Sequence, residues 1–105
     1  MIVHCVFLKL ADPADAGACA AVLDRLCAFA AGLEGVISAS AGPNIDLEGK
    51  SPEFPAGFVV NFKDRAALVQ YAAHPEHKEL GAQLVALCRG GAAGIVVFDL
   101  DCPDP

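Results

Sequence analysis

Three runs of apolar residues do most to limit what this chain can fold into. Residues 2–10, 56–62 and 95–100 are almost wholly apolar, and only His4 and Lys9 interrupt the first run. Their β-branched and aromatic content is typical of strands. Because the runs lack strict alternation between apolar and polar residues, we expect both faces of the resulting sheet to be buried.

A helix is predicted directly after the first strand. Asp12 and Pro13 form an N-cap followed by a first-turn proline, and Gly32 and Gly35 end the segment after about residue 31. Between these signals, apolar residues recur every three or four positions, which predicts one buried stripe. The stripe consists of Cys19, Val22, Leu23, Leu26, Cys27 and Ala30.

The second helical region is divided by a proline. Asp64 is placed to cap a short helix that runs to about residue 73, with Leu68 and Tyr71 on one face. Pro75 disfavours the helical conformation at His74. We therefore expect a break there and a second helix from residue 75 to about residue 89.

The remaining segments complete a β-α-β-β-α-β order. Residues 36–41 form a shorter strand whose two serines suit a sheet edge, and residues 42–52 are a loop by composition. We predict an α+β, ferredoxin-like domain over residues 1–101, with a four-stranded antiparallel sheet and helices on one face. Residues 102–105 form a short tail. The uncovered face needs a partner, and sheet-to-sheet packing of two copies is the simplest solution.

Composition and charge narrow the choice of partner. The chain is 55% hydrophobic with a mean hydropathy of +0.49, a surplus that favours a homodimer in so small a domain. A net charge of −6 without a cluster of Lys and Arg argues against nucleic acid. No run of about 18 apolar residues and no leader pattern is present, so we expect a cytoplasmic protein with no membrane partner.

The cysteines favour a reducing compartment. There are five of them, an odd number, and no C-x-x-C pair. Cys102 lies in the tail, where we expect it to be exposed. The other four lie among apolar residues, where cysteine behaves as a small hydrophobic side chain.

Four segments together resemble a known family. They are MIVHCVFLKL at 1–10, GPN at 42–44 with EGKS at 48–51, YAAHPEH at 71–77 and VVFD at 96–99. In these segments the chain resembles the stress-responsive A/B barrel (Dabb) domains, and the likeness covers residues 1 to about 100. The resemblance implies a ferredoxin-like subunit whose sheet packs against its twin in a dimeric α/β barrel.

The resemblance also implies a cavity between each sheet and its helices, with no cofactor. Most members of the family have no assigned activity. Some plant relatives are polyketide cyclases, in which a Tyr and a His matching Tyr71 and His77 act as an acid–base pair. Many relatives have a histidine where this chain has Ala56, so one polar contact of the pocket is missing here. We expect the cavity to be lined by His4, Val6, Leu8, Phe58, Ile95 and Val97.

The positions of Tyr71 and His77 in the sequence allow either a catalytic or a structural interpretation of these two residues. His77 begins an apolar row that continues through Leu80, Gly81 and Leu84, so it points at the sheet. Burial there would lower its pKa and leave a neutral base. The alternative is a core histidine bonded to a backbone carbonyl. Tyr71 either supplies a buried hydroxyl to the site or fills the core with its hydroxyl at the surface.

For the other two histidines, the sequence gives weaker evidence of a catalytic or ligand-binding role. His4 shares a strand face with Ile2 and Val6, and it points into the same cavity as His77 if that face meets the helices. A satisfied core histidine is the alternative. His74 is placed to cap the following helix. The proline break and the lack of further ligands argue against a metal at His74 and His77.

We therefore predict a homodimer with an apolar pocket for a small hydrophobic ligand. If the protein is an enzyme, Tyr71 and His77 perform cofactor-independent proton transfer of the cyclase, isomerase or lyase kind. The rival hypothesis is a non-catalytic, stress-associated or interaction protein whose histidines are structural. A dimeric-barrel monooxygenase is a third possibility that no motif in the chain supports.

Overall fold

The computed structural model describes residues 1–105 and has a four-stranded antiparallel sheet. Its strands are β1 (Ile2–Leu8), β2 (Val36–Pro43), β3 (Ala56–Phe62) and β4 (Ile95–Asp101). They lie in the order β2-β3-β1-β4. The predicted fold class is confirmed, and β2 lies at an edge as expected. β2 extends two residues beyond its predicted end.

Three helices connect the strands. A 3₁₀ turn at Pro13–Asp15 leads into α1 (Ala16–Ala31), and α2 (Arg65–Ala73) is followed after one residue by α3 (Pro75–Leu87). A second 3₁₀ turn, Gly91–Gly94, leads into β4. No helix is both long enough and apolar enough to cross a membrane.

The helix boundaries follow from side-chain caps. The carboxylates of Asp12 and Asp64 each accept a backbone N–H at the start of the following helical segment, at 2.9 Å in both cases. At the α2–α3 break, Nδ1 of His74 accepts the N–H of Glu76 at 3.1 Å. The extended backbone of His74 before Pro75 ends α2 as the sequence predicts.

Strand β1 divides the sheet into a covered face and an open face. Its even-numbered residues are buried under the helices and its odd-numbered residues are half-buried. Within a single chain, therefore, only the face under the helices is buried. The expectation that both faces are buried holds for that face alone. The 17 residues of the core lie between that face and the helices, including Leu8, Leu26, Val60, Phe62 and Tyr71.

The open face of the sheet is apolar. Phe98 and Leu100 on β4 are 54% and 51% exposed, and Val3, Cys5 and Phe7 on β1 lie half-buried beside them. Such a continuous apolar surface is typical of a face that another molecule covers.

All five cysteines are free thiols. Cys19 and Cys88 are buried, while Cys5, Cys27 and Cys102 are half-buried. Cys102 is therefore less exposed than the sequence led us to expect, because its backbone N–H bonds to the carbonyl of Met1 at 2.9 Å and draws the tail against β1.

The strand register sets the surroundings of His4. In the centre of the sheet, His4 lies opposite Val60 on β3 and opposite Asp99 on β4. Directly opposed residues of antiparallel strands project from the same face. Both His4 and Asp99 therefore lie on the helix side of the sheet.

Candidate functional site

Tyr71 lies at the centre of a cluster of rings between the sheet and the helices. It is fully buried in the last turns of α2. The centroid of its ring is 4.5 Å from that of His77, 5.2 Å from Phe62 and 5.7 Å from His4. The structure thus brings together the three residues that the sequence singled out, from β1, α2 and α3.

The hydroxyl of Tyr71 has no hydrogen-bond partner. It is the only buried side-chain oxygen or nitrogen in the chain of which this is true. Burial raises the pKa of Tyr71 well above its usual range, and the nearby Cys27 raises it further. The phenol therefore stays neutral and is a donor without an acceptor. The interpretation in which this hydroxyl reaches the surface is wrong.

His4 is held by a carboxylate. Its Nδ1 lies 2.5 Å from Oδ1 of Asp99, and the imidazole is almost fully buried. A carboxylate only accepts hydrogen bonds, so Nδ1 carries the proton and donates. The other ring nitrogen, Nε2, has no partner in the structure. In the neutral imidazole it presents a lone pair.

His77 is held in the same way by a backbone carbonyl. Its Nδ1 lies 3.1 Å from the carbonyl oxygen of Ala72, which again places the proton on Nδ1. Desolvation lowers the pKa of His77, although the bond to Ala72 opposes this shift. The half-buried ring is neutral near pH 7 with Nε2 free. The structural interpretation expected a bond from His77 to a backbone carbonyl, and that bond is present. The catalytic interpretation requires a ring nitrogen without a partner, and Nε2 has none.

The ring cluster therefore contains one unpaired donor, the hydroxyl of Tyr71, and two ring nitrogens without partners, Nε2 of His4 and Nε2 of His77. No hydrogen bond joins the hydroxyl of Tyr71 to His77 or to His4. Because the Tyr71 oxygen is the only buried polar side-chain atom without a partner, the free Nε2 atoms are not fully enclosed.

The expected pocket does not coincide with any of the four cavities that the structure places at its surface. Four surface cavities, of about 610, 370, 310 and 270 Å³, border neither His4, Tyr71 nor His77. Of the six residues expected to line the pocket, only Phe58 borders one of these four cavities. The others are His4, Val6, Leu8, Ile95 and Val97. The first three of these are buried in the core.

The ring cluster comes closest to solvent at strand β4. On the helix side of this edge strand, Val97 is 47% exposed and the carboxylate of Asp99 is 43% exposed. The cavity of about 270 Å³ borders Asp99 on one side and Leu68 and Val69 of α2 on the other. Asp99 thus connects the buried His4 to the surface.

Ala56 lies away from the ring cluster. It is opposite Leu8 at the far end of β1, whereas His4 is opposite Val60. Ala56 borders the separate cavity of about 370 Å³ beside α1, together with Leu10 and Cys19.

His74 has the structural role predicted for it. Besides capping α3, its ring packs against Phe29 with centroids 4.7 Å apart. No group of three His, Cys, Asp or Glu side chains is close enough to hold a metal ion.

Asp99 is the site residue that sequence reasoning missed. In the sequence it ends the VVFD segment at 96–99, which contributed to the family resemblance but suggested no role for this carboxylate. The antiparallel pairing of β1 with β4, counted from Ile2 opposite Asp101, places it beside His4. That register is the signal that could have found it.

The comparisons with known proteins bear on the whole domain. The sequence profile described as "Stress responsive A/B Barrel Domain" matches residues 2–102. The chain belongs to this family. A comparison of the A/B barrel chain with curated proteins found no match.

Solved structures support the same assignment. A dimeric ferredoxin-like protein of unknown function from Jannaschia sp. CCS1 is 40% identical to the A/B barrel chain, with a TM-score of 0.83 over 96% of this chain and 98% of that one. A Dabb family protein from Mesorhizobium loti is 19% identical, with a TM-score of 0.74 over 98% and 97%. An antibiotic biosynthesis monooxygenase at 16% identity, with a TM-score of 0.78 over 99% and 100%, shares the fold.

Replacing Tyr71 by Phe should not destabilise the A/B barrel domain. The change removes a hydroxyl without a partner and leaves the ring in place. Since an unsatisfied buried polar group costs about 1–3 kcal/mol, we expect the free energy of unfolding in urea to stay the same or rise by up to about 2 kcal/mol. Tyr71→Leu, which removes the ring contacts, should lower it by about 2–4 kcal/mol. A loss of about 1 kcal/mol or more in Tyr71→Phe would show that the hydroxyl has a partner.

His77 should make the stability of the A/B barrel domain depend on pH. Its pKa in the folded chain lies below the ordinary value of 6.5, so below pH 6.5 the unfolded chain binds more protons than the folded one. The free energy of unfolding therefore falls as the pH drops through 6.5, and it levels off below the folded pKa. Urea unfolding between pH 8 and pH 5 measures this slope.

His77→Asn keeps a donor for the Ala72 carbonyl but does not titrate, so it should reduce that slope. Equal slopes in the wild type and His77→Asn would contradict the assignment.

Proposed function

We propose that the protein is a homodimeric, cofactor-independent acid–base catalyst that acts on a small apolar molecule with an enolisable carbonyl group. The observation that carries the proposal is the buried hydroxyl of Tyr71, which lacks a partner and belongs to a ring that lies beside two imidazoles with unpaired Nε2 atoms. Native cores rarely leave a buried donor unpaired, and such a group calls for an explanation. A substrate oxygen would supply the missing acceptor.

Each group of the cluster has a defined role in this proposal. Nε2 of His77 takes a proton from the carbon next to the substrate carbonyl, and the electron pair of that C–H bond forms the enolate. The neutral hydroxyl of Tyr71 donates to the enolate oxygen as negative charge develops there. His77 then returns the proton to the substrate at another position. Alternatively, the enolate carbon attacks a second carbonyl of the same molecule, and His77 gives the proton to the alkoxide that forms.

His4 and Asp99 hold the substrate in this arrangement. Asp99 fixes the orientation of the His4 ring through Nδ1, as carboxylates do for many functional histidines. The free Nε2 of His4 accepts a hydrogen bond from a hydroxyl group of the substrate. The substrate enters past Val97 and Asp99 at strand β4, where the helices leave the sheet uncovered.

The open face of the sheet supports the homodimer. Phe98 and Leu100 expose half of their surface there, and packing against the same face of a second copy would remove both from water. The relative from Jannaschia sp. CCS1, at 40% identity, is described as dimeric.

A non-catalytic binding or interaction protein is the second candidate. The observation in its favour is that none of the four cavities described above borders His4, Tyr71 or His77. In that case the His77–Ala72 bond serves only to stabilise the junction of α2 and α3.

Proton exchange separates these two candidates. A panel of alkyl-substituted aryl methyl ketones is first tested for an increase in the melting temperature of the protein. Ketones that bind are then incubated in D₂O, and loss of the α-proton signal is followed by NMR. We expect exchange faster than in buffer, with Tyr71→Phe and His77→Asn each slowing it by about 100-fold or more.

His74→Asn is the matched control and should exchange at the wild-type rate. If bound ketones exchange no faster with the wild type than with His77→Asn, the catalytic proposal is wrong and the binding function remains.

A further inference from the structure

Two aliphatic side chains are displayed on the loop between β2 and β3, residues 44–55. Leu47 is 88% exposed and Ile45 is 77% exposed, more than any other large apolar side chain of the chain. Single exposed apolar residues need no explanation, but these two stand only two positions apart on one loop. Hydrogen bonds within the loop fix the backbone that carries both side chains.

Asn44 closes the base of this loop. Its side-chain amide donates to the hydroxyl of Ser51 and to the carbonyl of Phe54, both at 2.8 Å. Its backbone N–H donates to the carbonyl of Pro55 at 2.9 Å. These bonds join the two ends of the loop across ten residues.

Asp46 organises the turn that carries the two aliphatic residues. One of its carboxylate oxygens accepts the backbone N–H groups of Lys50 and Ser51, at 2.9 and 3.0 Å, and the hydroxyl of Ser51 at 3.0 Å. Its own N–H donates to the side chain of Asn44 at 2.9 Å, and its φ of +44° lies in the left-handed region. A loop tied in this way loses little entropy when it binds.

The loop stands beside the open face of the sheet. The ring of Phe54 lies 6.4 Å from that of Phe7 on β1, which in turn lies 6.3 Å from Phe98. Lys9 fixes this end of the loop, with its ammonium 3.1 Å from Glu53 and 5.1 Å above the Phe54 ring. Loop and sheet together border the hollow of about 610 Å³.

We infer that the β2–β3 loop is a preformed clasp for a second copy of this chain. The inference rests on the homodimer of the proposed function and adds a second contact region to it. Ile45 borders the same hollow as Phe7 and Phe98, so the loop and the open face form one continuous apolar surface. A second copy packed on that face also meets the loop, which brings Ile45 and Leu47 out of water. In a two-fold dimer each side chain contributes twice.

The dimer dissociation constant tests the clasp. Analytical ultracentrifugation is performed on the wild type, on Ile45→Ser with Leu47→Ser, and on Phe98→Ser. We expect the double variant to raise the dissociation constant by about 100-fold or more. Val69→Ser is the matched control, since Val69 is 65% exposed on α2 at the other side of the sheet, and it should leave the dissociation constant unchanged.

Asn44→Ala tests whether the loop must be preformed. It leaves both aliphatic side chains in place, so a weaker dimer with an unchanged far-UV spectrum supports the clasp. A double variant that dimerises like the wild type, while Phe98→Ser does not, overturns the clasp and leaves the sheet-to-sheet dimer standing. A wild type that is monomeric at micromolar concentration overturns both.

Discussion

Helices cover only one face of the sheet, and both the ring cluster and the apolar open face depend on this constraint. Three helices pack on one face only, so β1 alternates between residues buried in the core and residues that a single chain leaves half-buried. On the covered side this places His4 against Tyr71, beneath the junction of α2 and α3. On the open side it leaves Phe98 and its neighbours beside the β2–β3 loop. The candidate active site and the proposed dimer contact thus lie on opposite faces of the same strands.

The covered side carries an arrangement that a purely structural core would avoid. The ring of Tyr71 contributes apolar contacts, but its hydroxyl contributes only the cost of removing a donor from water. Phenylalanine would give the same packing without that cost. The two imidazoles next to it are each fixed through Nδ1, by Asp99 and by Ala72, so that their free nitrogens are the remaining acceptors. Residues that reduce stability in this way are typical of functional sites.

Local signals allowed much of the fold to be predicted from the sequence. Asp64 and Pro75 set the boundaries of α2 and α3 because capping and the missing proline N–H act within a few residues. The partnership of His4 with Asp99 could not be predicted in this way, since it joins residues 95 positions apart and depends on strand order and register. The positions of the surface cavities were also hidden, because they depend on how side chains pack in three dimensions.

The central claim is that His4 and His77 are each held through Nδ1, which leaves Nε2 of both rings without a partner beside a neutral Tyr71. Long-range ¹H–¹⁵N correlation NMR of the histidine side chains at pH 8 tests it most directly, because it reports which ring nitrogen carries the proton. Spectra of His4→Asn, His74→Asn and His77→Asn assign the three rings. The account predicts that His4 and His77 are both protonated at Nδ1 and unprotonated at Nε2. A proton on Nε2 of either residue would contradict it.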